Sequence, residues 1–324
     1  MQFGSVPIPT PSGLAPGDPW LKKWAVASRA PFLAASVLPA LAATAAAWRQ
    51  QGALRADLAV LPVIGVALIH LGVNLANDYF DHLSGADEAN KVPTPFSGGS
   101  RVIQEGVLSA GSILVASVSL LLAGCAIGIY LWLASPGHGL LAIGLAGVAL
   151  GWFYTSPPLR LAHRGWGEVA VGLGFGLLPA MGIEWVHRGT ISPEVSWVGL
   201  PSGLLVAAIL VINEFPDIPA DASAGKRTLV VRLGRVRAVR LYEALVLGAY
   251  ASVGAGVLLG WMPKLAAIVV LVAPLSWKAI MVLRRHHSEV RALLPAMAAT
   301  IAQEGIFVVL LAGAYVADLG LRAA

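Results

Sequence analysis

The chain holds a single cysteine, Cys125, in 324 residues. A lone thiol excludes an intrachain disulfide and a cysteine-built metal site. Charge is scarce as well: Asp, Glu, Lys and Arg make up 12% of the residues against 57% hydrophobic ones, and the mean hydropathy is +0.76. An ordinary soluble domain carries about 25% charged residues, so this balance excludes one. Long polar stretches are missing, which leaves no room for a separate soluble domain. The first 19 residues contain Pro7, Pro9, Pro11, Pro16 and Pro19 but no basic segment followed by an apolar core. They lack what a signal peptide needs. Residues 1–23 therefore read as a flexible cytoplasmic tail before one membrane domain, 24–324.

What the chain does have is apolar runs of membrane-crossing length, near 29–48, 57–82, 111–134, 139–156, 166–187, 196–214, 238–260, 264–283 and 294–317. They predict an all-α, polytopic membrane protein of about nine helices bundled around a central cavity. Basic residues are sorted between the two sides. Of the 22 Lys and Arg, five (Arg49, Arg55, Arg188, Lys264, Arg322) fall on one side, Lys278 lies inside a run, and the other 16 flank the opposite side. The positive-inside rule makes that basic side cytoplasmic, with the N-terminus on it, in a cell (inner) membrane. The pI near 9.6 thus comes from membrane-flanking loops and does not signal nucleic acid.

Two acidic clusters break this pattern, both at the basic end of an apolar run. The first reads Asn74-Leu-Ala-Asn77-Asp78-Tyr-Phe-Asp81. At 100° per residue, His70, Asn74, Asn77, Asp78 and Asp81 share an arc of about 100°, one stripe of a helix. A helix end that merely turns polar explains Asp81 and Asp87, but not the deeper Asn74 and His70. Carboxylates are costly at membrane depth, roughly 2.5–3.5 kcal/mol each on insertion scales, so the stripe must face a polar cavity. The loop that follows is long for a compact bundle and carries Pro93, Pro95, Gly98, Gly99 and Arg101. Such a loop can offer backbone N–H groups and a guanidinium to phosphate.

The second cluster reads Asn213-Glu214-Phe-Pro216-Asp217-Ile-Pro219-Ala-Asp221. Pro216 and Pro219 predict an unwound turn or a fresh helix start, which would free Asp217 and Asp221 to converge on a metal. Lys226 and Arg227 come next, as phosphate ligands or as ordinary membrane anchors. The two apolar runs bearing the clusters point the same way, so both clusters fit one cytoplasmic mouth. Two like charges roughly 4 Å apart repel by about 4 kcal/mol at an effective dielectric of 20. Acids facing a diphosphate therefore call for bridging cations, most simply Mg²⁺. A diphosphate so bridged is a good leaving group, and whatever it carries into a bundle of apolar helices should be hydrophobic. A polyprenyl chain meets both demands.

These residues, with Gly99-Ser-Arg101, Tyr154-Thr-Ser-Pro-Pro-Leu-Arg160 and Gly225-Lys226-Arg227-Thr-Leu229, resemble the UbiA superfamily of intramembrane prenyltransferases, most closely its menaquinone-pathway branch acting on 1,4-dihydroxy-2-naphthoate. The resemblance implies Mg²⁺-dependent transfer of a polyprenyl group from polyprenyl diphosphate to an aromatic acceptor, with the acceptor carboxylate lost as carbon dioxide. By position it implies metal binding and catalysis by Asp78, Asp81, Asp217 and Asp221, with Asn74 and Asn77 beside them. Diphosphate would fall to Arg101, Lys226 and Arg227, and Tyr154 and Arg160 would line the same mouth. Two departures stand out: Gly85 replaces a third aspartate, with Asp87 two residues on, and Glu214-Phe-Pro216 replaces the more usual Asn-x-Arg. Another aromatic acceptor, such as hydroxybenzoate or homogentisate, stays open, as do a UbiA-like terpene cyclase and, from another class, an ion-coupled transporter. Glu168 reads as a helix-start carboxylate; Glu184 and Glu304 read as interhelical hydrogen-bond partners, with acceptor binding or deprotonation as the alternative.

Overall fold

Backbone N–H and C=O groups in a bilayer must find partners inside their own segment, and the apolar runs of this chain do so as helices. A computed structural model describes residues 12–15 and 17–323. The helices are α1 (Trp20–Ala27), α2 (Ala30–Gln51, opening with a 3-10 turn), α3 (Ala56–Ser84), α4 (Ala86–Ala89), α5 (Ala110–Ala134) and α6 (Gly139–Trp152). They continue as α7 (Gly167–Arg188), α8 (Pro193–Glu214), α9 (Ile218–Ser223), α10 (Leu229–Leu233), α11 (Arg235–Leu258), α12 (Lys264–His286) and α13 (Val290–Arg322). Eight of these are long and apolar enough to cross a membrane. The fourth of the nine expected runs corresponds to α6, whose 14 residues fall short of the roughly 20 a full crossing needs.

Of the expected flexible tail, residues 1–11 and 16 lie outside the described residues. The remainder is held in place. The Ser12 N–H donates to Glu105 Oε1 at 3.0 Å, Leu14 is buried with Leu75, Val102 and Ile113, and Trp20 onward is helical. The apolar Leu14 side chain supplies the reason: it gains by leaving water for the groove beside α3 and α5.

Local sequence sets the helix ends that matter for the site. Helix α3 stops at Gly85, whose φ of +76° suits a left-handed cap and lets its N–H bond back to His82 O at 3.0 Å. Helix α8 starts on a Ser192 cap followed by Pro193 and ends at Glu214, just before Pro216. Asp217 then opens α9, with Pro219 in its first turn. The fresh helix start expected from the two prolines is therefore present.

Helix α8 is the centre of the bundle, with 72% of its spanning window buried against 22% for α5 at the periphery. It packs on α2, α7, α11 and α13. Its contact with α7 uses glycines spaced four apart on both helices. A Cβ at Gly203 would lie 2.3 Å from Gly172 O, and one at Gly199 would lie 2.5 Å from Gly176 O. Without side chains in the way, the two backbones approach closely, the small-xxx-small device of membrane helices. Helix α7 carries a π turn at Leu173–Leu177 in the same stretch.

Replacing Gly203 by leucine should force α7 and α8 apart. We expect a loss of at least about 1–3 kcal/mol, read as a lower melting temperature of the detergent-solubilised protein. Gly254→Leu on α11, where a Cβ meets nothing within 4 Å, should leave the melting temperature near that of the wild type.

Candidate active site

The helices enclose a cavity of about 570 Å³. Pro62 and Asp81 of α3 both line it, and 1.5 Å per residue places them about 28 Å apart along the helix. The cavity is therefore long and narrow, running most of the depth of the bundle. Its two ends differ sharply. Ile127, Leu131, Leu140 and Val186 line the deep end, whereas Asn74, Asn77, Asp81, Asp217, Asp221 and Lys226 line the mouth.

The mouth joins the two acidic clusters. Lys226 Nζ lies 2.8 Å from Asp81 Oδ2 and 3.7 Å from Asp221 Oδ1, so one ammonium bridges the end of α3 and the start of α9. The long loop after α3 adds a second link. Asn90 Nδ2 donates to Asp217 Oδ1 at 2.8 Å, and the Gly98 N–H donates to Asp217 Oδ2 at 3.1 Å. Further along the same loop, the Ser100 N–H donates to Asp78 Oδ2 at 3.3 Å, and its hydroxyl donates there as well. A side chain at Gly99 would collide with the buried Asp87 carboxylate, its Cβ falling 2.7 Å from Oδ2, and Gly99 has a φ of +75°. Glycine is required there on both counts.

The expected site residues separate into two groups. Asn74, Asn77, Asp81, Tyr154, Asp217, Asp221 and Lys226 line the cavity, and Asp78 is buried just behind its wall. Asn74 Nδ2 donates to Ser28 O at 3.0 Å, and Asn77 Nδ2 to Asp81 Oδ2 at 3.5 Å. Arg101, Arg160 and Arg227 do not reach the cavity. The Arg101 guanidinium donates to the Asp87 carbonyl and pins the loop, and Arg160 and Arg227 are exposed. Their positive charge is nearby, but it points to water or to the backbone.

Four contributors went unrecognised in the sequence. Arg29 pairs with Asp78 and takes a left-handed backbone, φ 52°, which few non-glycine residues adopt. From the sequence it was only one of many basic residues on its side. His163 Nε2 lies 3.2 Å from Asp81 Oδ1, a contact with no local signal. Asn90 and Ser100 belong to the loop whose length was itself the clue. His70, by contrast, is buried against Ser36 Oγ at 2.8 Å and the edge of Phe175. Glu184 accepts from the Ser192 N–H at 2.8 Å, far from the mouth. Glu304 is buried, with no hydrogen bond at Oε1. Neither glutamate lines the cavity.

Burial and mutual repulsion shape the acids at the mouth. Asp217 is pushed up to about 6, first by burial and then by the Asp221 charge. Asp87 rises well above the carboxylate range, from burial and the charges of Asp81 and Asp78. Burial works against the Lys226 charge, but Asp81 and Asp221 outweigh it and hold the ammonium well above the lysine range. Among the described residues no three acids or histidines are poised as a ready-made metal site; protein cations and N–H groups hold Asp78, Asp81 and Asp217. The donor set is nonetheless one of hard oxygens, with Asp81, Asp87, Asp217, Asp221, Asn74, Asn77 and Asn90 around one opening and Asp78 just behind it. That chemistry fits a divalent cation of the Mg²⁺ type.

Removing the bridging ammonium leaves two buried carboxylates facing each other uncompensated. Lys226→Met should cost about 3–5 kcal/mol of stability in chelator-treated protein, measured by thermal unfolding. Added Mg²⁺ should restore part of the loss.

The chain matches the UbiA prenyltransferase family over residues 36–317. It is 35% identical over 229 residues to the 1,4-dihydroxy-2-naphthoate octaprenyltransferase of Mycobacterium tuberculosis, covering 69% of this chain and 74% of that one. It is 31% identical over 231 residues to the protein of the same name from Escherichia coli, covering 69% and 73%. The fold is shared with a UbiA homolog from Aeropyrum pernix K1, at a TM-score of 0.63 and 18% identity over 87% of this chain and 97% of that one. It is shared too with a UbiA homolog from Archaeoglobus fulgidus solved with GPP and Mg²⁺, at a TM-score of 0.62 and 14% identity over 91% and 99%. With most of its length matched, its motifs gathered at one cavity mouth and its architecture in common with those structures, the chain belongs to the UbiA prenyltransferase family.

Proposed function

We propose that this protein transfers a polyprenyl group from polyprenyl diphosphate to 1,4-dihydroxy-2-naphthoate, in menaquinone biosynthesis. The observation that carries the reading is the meeting of Asp81 and Asp221 on one lysine at the mouth of a long apolar cavity. An anionic headgroup fits the mouth, and a linear hydrocarbon fits the cavity behind it. The naphthoate acceptor is supported by the names of the bacterial relatives. The basic loops on the same side as the mouth support a position at the cytoplasmic face of the inner membrane.

Asp78, Asp81, Asp217 and Asp221 are the residues to hold Mg²⁺, which when bound neutralises the diphosphate and makes it a better leaving group. Asn77 keeps the Asp81 carboxylate aligned, Asn74 lines the mouth beside it while tied to Ser28 O, and Tyr154 closes one side of the mouth. Lys226 and Arg29 are the cations placed to meet diphosphate oxygens; Arg101, Arg160 and Arg227 are too remote in this arrangement and serve the loops. The prenyl C–O bond breaks with its electron pair leaving on the diphosphate. The allylic carbon bonds to the acceptor ring carbon bearing the carboxylate. That carboxylate departs as carbon dioxide, and its bonding electrons restore the aromatic ring. The apolar wall protects the allylic cation by keeping water out.

Purified protein supplied with Mg²⁺, several prenyl diphosphates and either dihydroxynaphthoate, hydroxybenzoate or homogentisate should give a decarboxylated prenyl naphthalenediol by mass spectrometry. Hydrocarbon or alcohol products made from the diphosphate alone would indicate a cyclase instead. Asp217→Ala should reduce transfer by at least about 1,000-fold, with the protein still folded in the membrane.

The Asp217 carboxyl gives a pH dependence of definite sign. Below about 6 a proton occupies the oxygen a cation needs, so affinity for Mg²⁺ falls as pH falls. About tenfold more Mg²⁺ should be needed for half-maximal activation near pH 5 than near pH 7. An Mg²⁺ requirement that does not change over that interval would remove Asp217 from the metal site.

A further inference from the structure

A second cleft lies at the basic end of the bundle, where α11 begins and α12 ends. It encloses about 270 Å³ and is lined by Val236, Val239, Arg240, Glu243, Arg284 and His287. None of these lines the cavity of the candidate active site. By helical period, Val236, Arg240 and Glu243 form one stripe of α11, and Arg284 and His287 form a facing stripe at the end of α12. The Glu243 carboxylate is fully engaged: it accepts from Arg284 Nη2 at 2.8 Å and from Arg284 Nε as well. That pair fastens the two helices and leaves the remaining N–H groups of Arg284 free to donate. Arg240 is exposed and has no ion-pair partner among the described residues. Arg235 donates to the carbonyls of His287 and Phe215, which brings a third guanidinium against the backbone of the cleft. Three arginines beside one glutamate leave the cleft positive.

The sorting of basic residues to one side of a membrane accounts for these charges, but not for their convergence on one concavity. What lies next to the cleft identifies its ligand. Leu247, one turn beyond Glu243, and Trp277, two turns before Arg284, continue the same two stripes, and both are exposed. Both belong to spanning segments. The seam between α11 and α12 therefore runs from a cationic cleft into hydrocarbon-facing side chains. Behind that seam the Tyr250 and Ser276 hydroxyls meet at 2.6 Å and keep the two helices together. A ligand that fills both parts must have an anionic head and an apolar tail. Guanidinium groups take phosphate oxygens in bidentate fashion, and basic pockets between membrane helices suit phospholipid head groups. We propose that the cleft between α11 and α12 binds an anionic glycerophospholipid, its phosphate at Arg240 and Arg284 and an acyl chain along Leu247 and Trp277. A soluble phosphate would use the cleft alone and leave the apolar stripe bare.

The test titrates the detergent-solubilised full-length protein with phosphatidylglycerol or with phosphatidylcholine of the same acyl chains, read by native mass spectrometry and by melting temperature. Phosphatidylglycerol should bind more tightly and raise the melting temperature further. Arg240→Gln should weaken phosphatidylglycerol about fivefold. Arg237→Gln removes the same charge from an exposed position of α11 that does not line the cleft, and it should change the affinity by less than about twofold. Glu243→Gln takes the one negative charge out of the cleft and frees Arg284, so it should tighten phosphatidylglycerol about two- to fivefold. A gain of that kind cannot come from a damaged fold. Equal losses in Arg240→Gln and Arg237→Gln, or no tightening in Glu243→Gln, overturn the site. Phosphatidylcholine binding as well as phosphatidylglycerol overturns the need for an anionic head. Displacement of the lipid by an equal concentration of glycerol 3-phosphate overturns the lipid assignment in favour of a soluble phosphate.

Discussion

A single ammonium holds the mouth of this protein together. Lys226 sits between Asp81, at the end of α3, and Asp221, on α9, at 2.8 Å and 3.7 Å. Without it the two acidic helix ends would repel across a poorly solvated gap, where screening is weak. The loop between α3 and α5 has the same effect by another route, fastening Asp78 through Ser100 and Asp217 through Asn90 and Gly98. All of these contacts except Lys226–Asp221 span separate parts of the chain. The position of the carboxylates is therefore a tertiary property, created only once the bundle has closed.

The bundle closes through its apolar half, and the division of labour is clear. Glycines at 172, 176, 199 and 203 let α7 and α8 approach backbone to backbone, which fixes one wall of the cavity without any polar contact. The polar residues gather where α3 and α8 end, and each ending has a local cause: Gly85 for α3, Pro216 for α8. Had α8 continued as a straight helix, Asp217 and Asp221 would have followed its axis away from Asp81. The proline break turns the chain so that Asp221 faces back across the mouth. An ion-coupled transporter would keep its acids near mid-bilayer; here the aspartates sit at helix ends, over a hydrocarbon-lined cavity.

Much of this was legible in the sequence. The membrane character followed from apolar runs, and the stripe from His70 to Asp81 followed from helical period alone. The restart at Asp217 followed from Pro216 and Pro219. What could not be read was which cation meets which acid. Lys226 was identified because it follows the second cluster closely, but Arg29 lies 49 residues before its partner Asp78 and resembled any other membrane anchor. Arg101, Arg160 and Arg227 looked equally apt as phosphate ligands. The direction of a side chain depends on the local backbone: Arg101 and Arg160 both have positive φ, which no periodicity argument anticipates. Glu168 suited a helix start by its position, and only the close approach of α7 to α8 brings it against Glu214.

Charge balance at the mouth links these observations. Five aspartates (Asp78, Asp81, Asp87, Asp217 and Asp221) face two permanent cations, Lys226 and Arg29. Full ionisation would leave an excess of negative charge in the space proposed for an anion. The protein relieves the excess in part by protonation: Asp87 and Asp217 are pushed up by burial and by their neighbours' charge. A divalent cation relieves the same excess by another means, and the two compete for the same oxygens. Cation occupancy and proton release are consequently coupled at this site. On the proposed reading, the mouth takes a diphosphate as its protons are exchanged for metal charge, a consequence of packing so many acids beside so few bases.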